Sequence, residues 1–224
     1  SPQEQLFIRT ELTVKPSVPK SPVQPEPFPI YRESPNKYYL PRYFGLDNFG
    51  ELTENKLPKG DDIDITFQGE MREYQVNIVN KYIKFVKDSG GGLLDVDPGK
   101  GKTVMALYII SQLKKKALVI VHKSFLLNQW IERIQQFLPN ARVGKIQGQI
   151  IDIENKDIVI GMLQSLSQKD YPESLFDCFG ISIYDETHHL GAEVFSRSMM
   201  KIQTNYTLGL SGTMQRKDGL TKVF

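Results

Sequence analysis

Leu93-Leu94-Asp95-Val96-Asp97-Pro98-Gly99-Lys100-Gly101-Lys102-Thr103-Val104-Met105-Ala106-Leu107 is the stretch on which the fold turns. A short aliphatic run ends in an acidic, Gly-rich turn, and an apolar helix-forming run follows at once. That order carries a mechanism. A Gly-rich turn lets backbone N–H groups approach phosphate oxygens, and the following helix N-terminus adds its positive dipole end. Against the pattern G-x-x-x-x-G-K-[ST], Gly101, Lys102 and Thr103 fit, while Val96 stands where the first glycine belongs. Gly99 partly compensates, because it also permits close backbone approach. Pro98, Gly99, Lys100 and Gly101 are thus the expected phosphate cradle. Lys102 is expected at the β- and γ-phosphates of ATP, and the Thr103 hydroxyl on Mg²⁺. The plain alternative is a surface turn rich in Gly and Lys. The flanking strand and helix weigh against it.

Outward from this loop, short aliphatic runs recur at 93–96, 117–121, 157–160, 181–184 and 207–210. They are continuous rather than alternating, as strands buried on both faces should be. The intervening spacing predicts helices over 71–87, 103–113, 125–137 and 193–202. The first places Val79, Tyr82, Ile83 and Val86 on one face. The second ends in Lys114, Lys115 and Lys116, which suit a helix C-terminus. Strand–helix alternation predicts an α/β fold, a parallel sheet flanked by helices on both faces.

The chain of 224 residues is about one and a half times a ~150-residue domain. Hydrophobic residues at 40% and charged residues at 24% exclude global disorder. A net charge of +2 excludes a histone-like basic tail but not a local basic strip. The one cysteine, Cys178, permits no intrachain disulfide. No apolar run approaches the ~18 residues of a membrane span, so no membrane partner is expected and the protein should be soluble and intracellular.

Ten of the 13 prolines lie in residues 1–60. Residues 15–30 should therefore be extended, with polyproline character. Residues 31–50 carry Tyr31, Tyr38, Tyr39, Tyr43, Phe44 and Phe49, more aromatics than a disordered linker holds. Two domains follow: a Pro-rich, aromatic extension at 1–60 and an α/β domain at 61–224. Arg32, Lys37 and Arg42 among the aromatics fit a stacking and phosphate-contacting strip. The other account is that the aromatics pack on the α/β domain and anchor the arm.

Ile181–Tyr184 is followed by Asp185-Glu186-Thr187-His188-His189. A carboxylate at the end of a neighbouring parallel strand lies near the phosphate loop. Asp185 is then placed to hold Mg²⁺, and Glu186 to polarise an attacking water. His188 and His189 lack the Cys cluster or H-E-x-x-H of a zinc site. A third signal, Ser211-Gly212-Thr213, follows the next strand.

Together these segments resemble the first motor domain of superfamily 2 DEAD/DEAH-box helicases, a RecA-like P-loop fold. Gly99–Thr103 resembles motif I, Asp185–His188 (DETH) motif II, and Ser211–Thr213 motif III. The segment Met71-Arg72-Glu73-Tyr74-Gln75 resembles the family's adenine-reading segment, in which the Gln75 amide both donates and accepts. Arg72 and Gln75 thereby join the ATP-binding set. His122, Lys123 and Ser124 look like the motif Ia loop, and Gln164 and Ser165 occupy the place of the next such loop. Such loops hold nucleic-acid backbone. Residues 208–220 are similar to the branch that contains the XPB and UvsW helicases and the transcript-release helicases of large DNA viruses. The resemblance implies catalysis by Glu186, Lys102 and Asp185, Mg²⁺ on Thr103 and Asp185, and coupling through His188, Ser211 and Thr213.

The expected activity is that of an ATP-binding motor domain of a nucleic-acid-dependent ATPase, a DNA or RNA helicase or translocase truncated after motif III. The expected partners are DNA or RNA, a second helicase domain in the full-length chain, and transcription or repair machinery. A viral member would work in the virion or the infected-cell cytoplasm. Alone, the fragment is expected to be weakly active or inactive. The competing classes are a non-catalytic nucleotide or nucleic-acid binding module and another P-loop enzyme such as a small-molecule kinase.

Overall fold

A computed structural model describes residues 1–15, 26–185 and 192–212. The chain opens with helix α1 (Pro2–Glu11), strands β1 (Thr13–Val14) and β2 (Phe28–Pro29), a hairpin of β3 (Arg32–Ser34) and β4 (Lys37–Tyr39), and helix α2 (Arg42–Phe49). Next come α3 (Glu73–Ser89), β5 (Gly91–Asp95), α4 (Lys102–Leu113), β6 (Ala117–Val121), α5 (Ser124–Phe137), β7 (Val143–Gln147), β8 (Ile150–Asp152), β9 (Ile158–Met162) and α6 (Leu163–Gln168). A 3₁₀ turn at Glu173–Phe176 leads to β10 (Ile181–Tyr184), α7 (Ala192–Lys201) and β11 (Tyr206–Ser211). The five expected strands and four expected helices are all present, with ends shifted by up to two residues.

The main sheet has 7 strands in the order β5-β11-β10-β6-β9-β7-β8. Every pairing is parallel except β7 with β8. The C-terminal ends of β5, β11, β10, β6, β9 and β7 therefore share one edge. Insertion of β10 and β11 between β5 and β6 leaves a crevice at that edge, where open α/β sheets bind ligands. The β7–β8 hairpin was not expected. Its first strand alternates half-buried with buried residues at the sheet margin and carries Gly144, Lys145 and Gln147, so it lacks the continuous aliphatic run of the central strands.

Burial on both faces is visible within β6. Ala117, Val119 and Val121 join one buried cluster with Val79, Tyr82 and Val86 of α3, the apolar side of α4, and Leu127, Trp130 and Ile134 of α5. Leu118 and Ile120 point the other way and join a second cluster with Leu163 and Leu166 of α6. Ile8, Leu12, Val14, Ile30 and Phe44 from the N-terminal arm complete that second cluster. Phe28–Pro29 pairs antiparallel with Thr13–Val14. The Arg42 guanidinium donates to the carbonyls of Thr204 and Asn205, at 3.2 and 3.1 Å. The rest of the proline-rich stretch, 16–25, lies outside the described residues.

One ion pair pins the margin of the sheet. Arg142 places Nη2 2.7 Å from Asp157 Oδ1 and Nε 3.0 Å from Oδ2, and its own backbone N–H donates to Oδ2 at 2.8 Å. Burial raises the Asp157 carboxyl, but the Arg142 hydrogen bonds and charge, aided by Lys116, outweigh it and hold the group below the usual carboxylate range. A depressed folded-state pKa stabilises above the unfolded value of ~3.9 and is lost as pH falls through the folded one. Asp157→Asn should therefore lower Tm at pH 7, on the order of 2–4 °C. The gap to wild type should close on acidification below about pH 4. Melts at pH 7, 5 and 3 check this, and a widening gap contradicts it.

Candidate nucleotide site and nucleic-acid face

The loop after β5 meets the requirements of a phosphate cradle. Gly99 and Gly101 hold φ of +79° and +83°, in the left-handed region that glycine enters without penalty. Val96 is not among the residues of positive φ, so the position where the pattern wants glycine needs none here. Its side chain packs against the core instead, and its N–H donates to Ser211 O at 3.0 Å. Pro98, Gly99 and Lys100 are exposed, and Lys100 N–H donates to Asp97 O at 3.3 Å. A Cβ at Gly99 would meet nothing within 4 Å, so the space above the loop is open. Lys102 and Thr103 form the first turn of α4. Lys102 is 9% exposed, and its ammonium donates to Val96 O at 3.0 Å. A buried cation at the first turn of a helix suits an anionic ligand.

Gln75 has a job within the chain. Its Oε1 accepts from Arg72 N–H at 2.9 Å, and its Nε2 donates to Lys100 O at 3.0 Å. Tyr74 Oη donates to the same carbonyl at 2.8 Å. The segment expected to read adenine thus also clamps the phosphate loop. An amide has two N–H donors and two acceptor lone pairs. One donor and one acceptor position of Gln75 therefore lie beyond these two bonds. Tyr74 was not expected to take part. A Cβ added at Gly101 would lie 2.4 Å from Gln75 Nε2. Gly101→Ala should therefore break the clamp and strain the left-handed backbone, costing ~1–2 kcal/mol. Urea unfolding should show that loss and nucleotide titration a weaker affinity; unchanged nucleotide affinity contradicts the clamp.

Asp185 follows β10, two strands from β5. It is 6% exposed, and its N–H donates to Ile120 O at 3.0 Å. Its Oδ2 accepts the indole N–H of Trp130 at 2.8 Å, a bond across 55 positions of sequence. Trp130 was not among the expected site residues. Ser211 ends β11 in register with Asp95 and is 2% exposed. A Cβ on Gly212 would lie 3.3 Å from both Lys102 Nζ and Pro98, so the Ser211–Gly212 turn abuts the β5–α4 loop. Glu186, His188 and Thr213 lie outside the described residues.

The remaining candidates stand further along the same edge. His122 is half-buried after β6, while Lys123 and Ser124 are exposed where α5 begins. The Lys123 ammonium lies 5.8 Å from the ring centre of Phe125, itself 54% exposed. Gln164 is exposed in the first turn of α6. Ser165 Oγ accepts from Gly148 N–H at 2.9 Å, and Tyr171 Oη donates to Gly148 O at 2.8 Å. Ser165 thus also braces the β7–β8 turn. Because β6 and β9 are neighbours, these loops are adjacent, and the β10 and β11 ends separate them from the loop after β5.

Among the described residues no helix is long and apolar enough to cross a membrane. The family model for "Type III restriction enzyme, res subunit" matches residues 68–216. A protein of Acanthamoeba polyphaga mimivirus named "Putative ATP-dependent RNA helicase L396" is 37% identical over 96% of this chain and 43% of its own length. "DNA 3'-5' translocase XPB2" of Sulfurisphaera tokodaii is 30% identical over 84% of this chain and 41% of its own. The chain thus spans less than half the length of either relative. Among solved structures, the UvsW helicase from bacteriophage T4 matches with a TM-score of 0.68 and 16% identity, over 99% of this chain and 89% of that one. The Sulfolobus solfataricus SWI2/SNF2 ATPase core in complex with dsDNA matches with a TM-score of 0.60 and 22% identity, over 74% and 36%. Both are likenesses of fold.

Proposed function

The chain belongs to the type III restriction enzyme res-subunit family and carries the first motor domain of a superfamily 2 helicase, and from that premise we propose that it binds ATP at the β5–α4 loop for a nucleic-acid-driven motor. The carrying observation is the buried Lys102 ammonium within a loop of two left-handed glycines, with Asp185 at a nearby strand end. Lys102 and the loop N–H groups would hold the β- and γ-phosphates. Arg72 and Gln75 would face the adenine. The Thr103 hydroxyl and the Asp185 carboxylate, both hard oxygen donors, fit Mg²⁺. The metal would neutralise charge that develops on the transferred phosphoryl group. Glu186 would orient and deprotonate water. His188, Ser211 and Thr213 would carry the nucleotide state to the strand ends where His122, Lys123, Ser124, Gln164 and Ser165 grip a DNA or RNA backbone.

A second motor domain would close the ATP cleft and supply an arginine finger, worth ~10³–10⁵ in rate in related phosphoryl-transfer systems. The whole protein would then be an ATP-dependent helicase or translocase, while these 224 residues alone would hydrolyse ATP slowly. Glu186→Gln tests the reading in the two-domain protein. Hydrolysis should fall by about 10²-fold or more, the scale of a positioned general base, while ATP affinity stays within twofold. Hydrolysis near the wild-type rate would remove Glu186 from the role.

A further inference from the structure

We propose that Trp130 is a positioning residue for the metal-binding carboxylate: its indole N–H fixes Asp185 and ties that carboxylate to the helix that begins at the backbone-gripping loop. The inference rests on the ATP-site reading above and concerns a residue that reading does not use.

The geometry is specific. Helix α5 buries Leu127, Trp130 and Ile134, one stripe at helical spacing. Leu127 and Ile134 are purely apolar, whereas Trp130 carries an N–H that must be satisfied when buried. Trp130 is 1% exposed, and its donor meets Asp185 Oδ2 at 2.8 Å. Asp185 sits at the end of β10, next to β6 in the sheet, and α5 continues directly from β6. The indole therefore spans from the helix over β6 to the neighbouring strand end. A neutral N–H donor to an ionised carboxylate fixes the plane of the carboxylate. It withdraws less charge from it than a lysine or arginine would, so the group remains a good Mg²⁺ ligand. Groups that orient a metal ligand in this way typically contribute 10–100-fold to metal affinity. The same helix starts at Lys123 and Ser124. A shift of α5 on gripping a backbone would thus move the donor that orients Asp185.

Simple core filling by a large aromatic is the competing account, and it predicts no effect on the metal. The two separate cleanly because Trp130 is the one tryptophan of the chain. Biosynthetic replacement of tryptophan by β-(3-benzothienyl)alanine changes this position alone, keeping the ring shape and removing the N–H. Trp130→Phe is the genetic counterpart. The measurement is calorimetric ATP affinity with EDTA and across a Mg²⁺ titration, on the 224-residue chain. Metal-free ATP affinity should stay within twofold of wild type, and the Mg²⁺ concentration giving half of the affinity gain should rise about tenfold or more. An unchanged Mg²⁺ midpoint in the sulfur isostere overturns the proposal even if Trp130→Phe fails to fold. A parallel loss of metal-free affinity also overturns it, since that is general damage. If neither this chain nor the two-domain protein binds ATP with or without Mg²⁺, the ATP-site reading itself fails, and this inference with it.

Discussion

Lys102→Ala should reduce ATP hydrolysis in the two-domain protein by about 10²–10³-fold or more, the cost of removing one preorganised charge-stabilising group. The ammonium is held ready: 9% exposed, donating to Val96 O, at the first turn of α4. Burying a cation costs free energy that the fold recovers only in part through hydrogen bonds. Its removal should therefore leave stability within about 1 kcal/mol of wild type, since one charged hydrogen bond is lost together with one desolvated charge. Function falls by orders of magnitude while the fold barely responds, the pattern of a residue kept for ligand binding rather than stability. Phosphate-release assays with nucleic acid present, and calorimetric ATP titration of the 224-residue chain, measure the two sides. A variant that retained a tenth of wild-type hydrolysis would show that the phosphates are held elsewhere.

The residues that make this prediction possible were legible because their chemistry is local. Gly101, Lys102 and Thr103 are consecutive, and the run before them is aliphatic on both faces, so periodicity and loop chemistry pointed the same way. The central strands were legible for the same reason: burial on both sides erases alternation. What escaped is non-local or marginal. The Trp130–Asp185 bond joins an aromatic that periodicity assigns to a helix core with an acid 55 residues later. The brace of Ser165 on Gly148 spans 17 positions. Tyr74 reaches Lys100 only because α3 packs on α4. Val96 was read as a defect in the motif, whereas its backbone needs no glycine and its side chain joins the core. In the arm, proline counting obscured two helices. Pro2 sits in the first turn of α1, where a missing N–H costs nothing, behind a capping box of Ser1 and Glu4. Pro41 precedes α2 and leaves its ladder intact.

The arm is where a second large effect is expected. A strand in the middle of a parallel sheet must be covered on both faces. Residues of β6 facing α3, α4 and α5 are covered by those helices, but Leu118 and Ile120 face the cluster that α6 shares with Ile8, Leu12, Ile30 and Phe44. Phe44 is 8% exposed and stacks on Phe7 at 5.8 Å between ring centres. Phe44→Ala should cost about 3–5 kcal/mol, the usual range for a buried Phe. That is a fifth or more of the ~5–15 kcal/mol that holds an ordinary domain together. For a chain of this length Tm should fall by roughly 6–20 °C. Deleting residues 1–50 removes these side chains and Val14, each worth ~1.5–3 kcal/mol of burial, together with the Arg42 bonds to Thr204 and Asn205. The truncated chain should therefore aggregate or melt near room temperature, before any change in nucleic-acid affinity is read. Urea unfolding of Phe44→Ala and solubility of the deletion check this. The opposite result, a truncated chain as stable as the parent but with weaker DNA or RNA binding, would make the arm a nucleic-acid strip resting on a self-sufficient domain. The buried positions of Leu12, at 0% exposed, and Ile30, at 2%, argue that the arm is an integral part of the cover over the second face of the sheet.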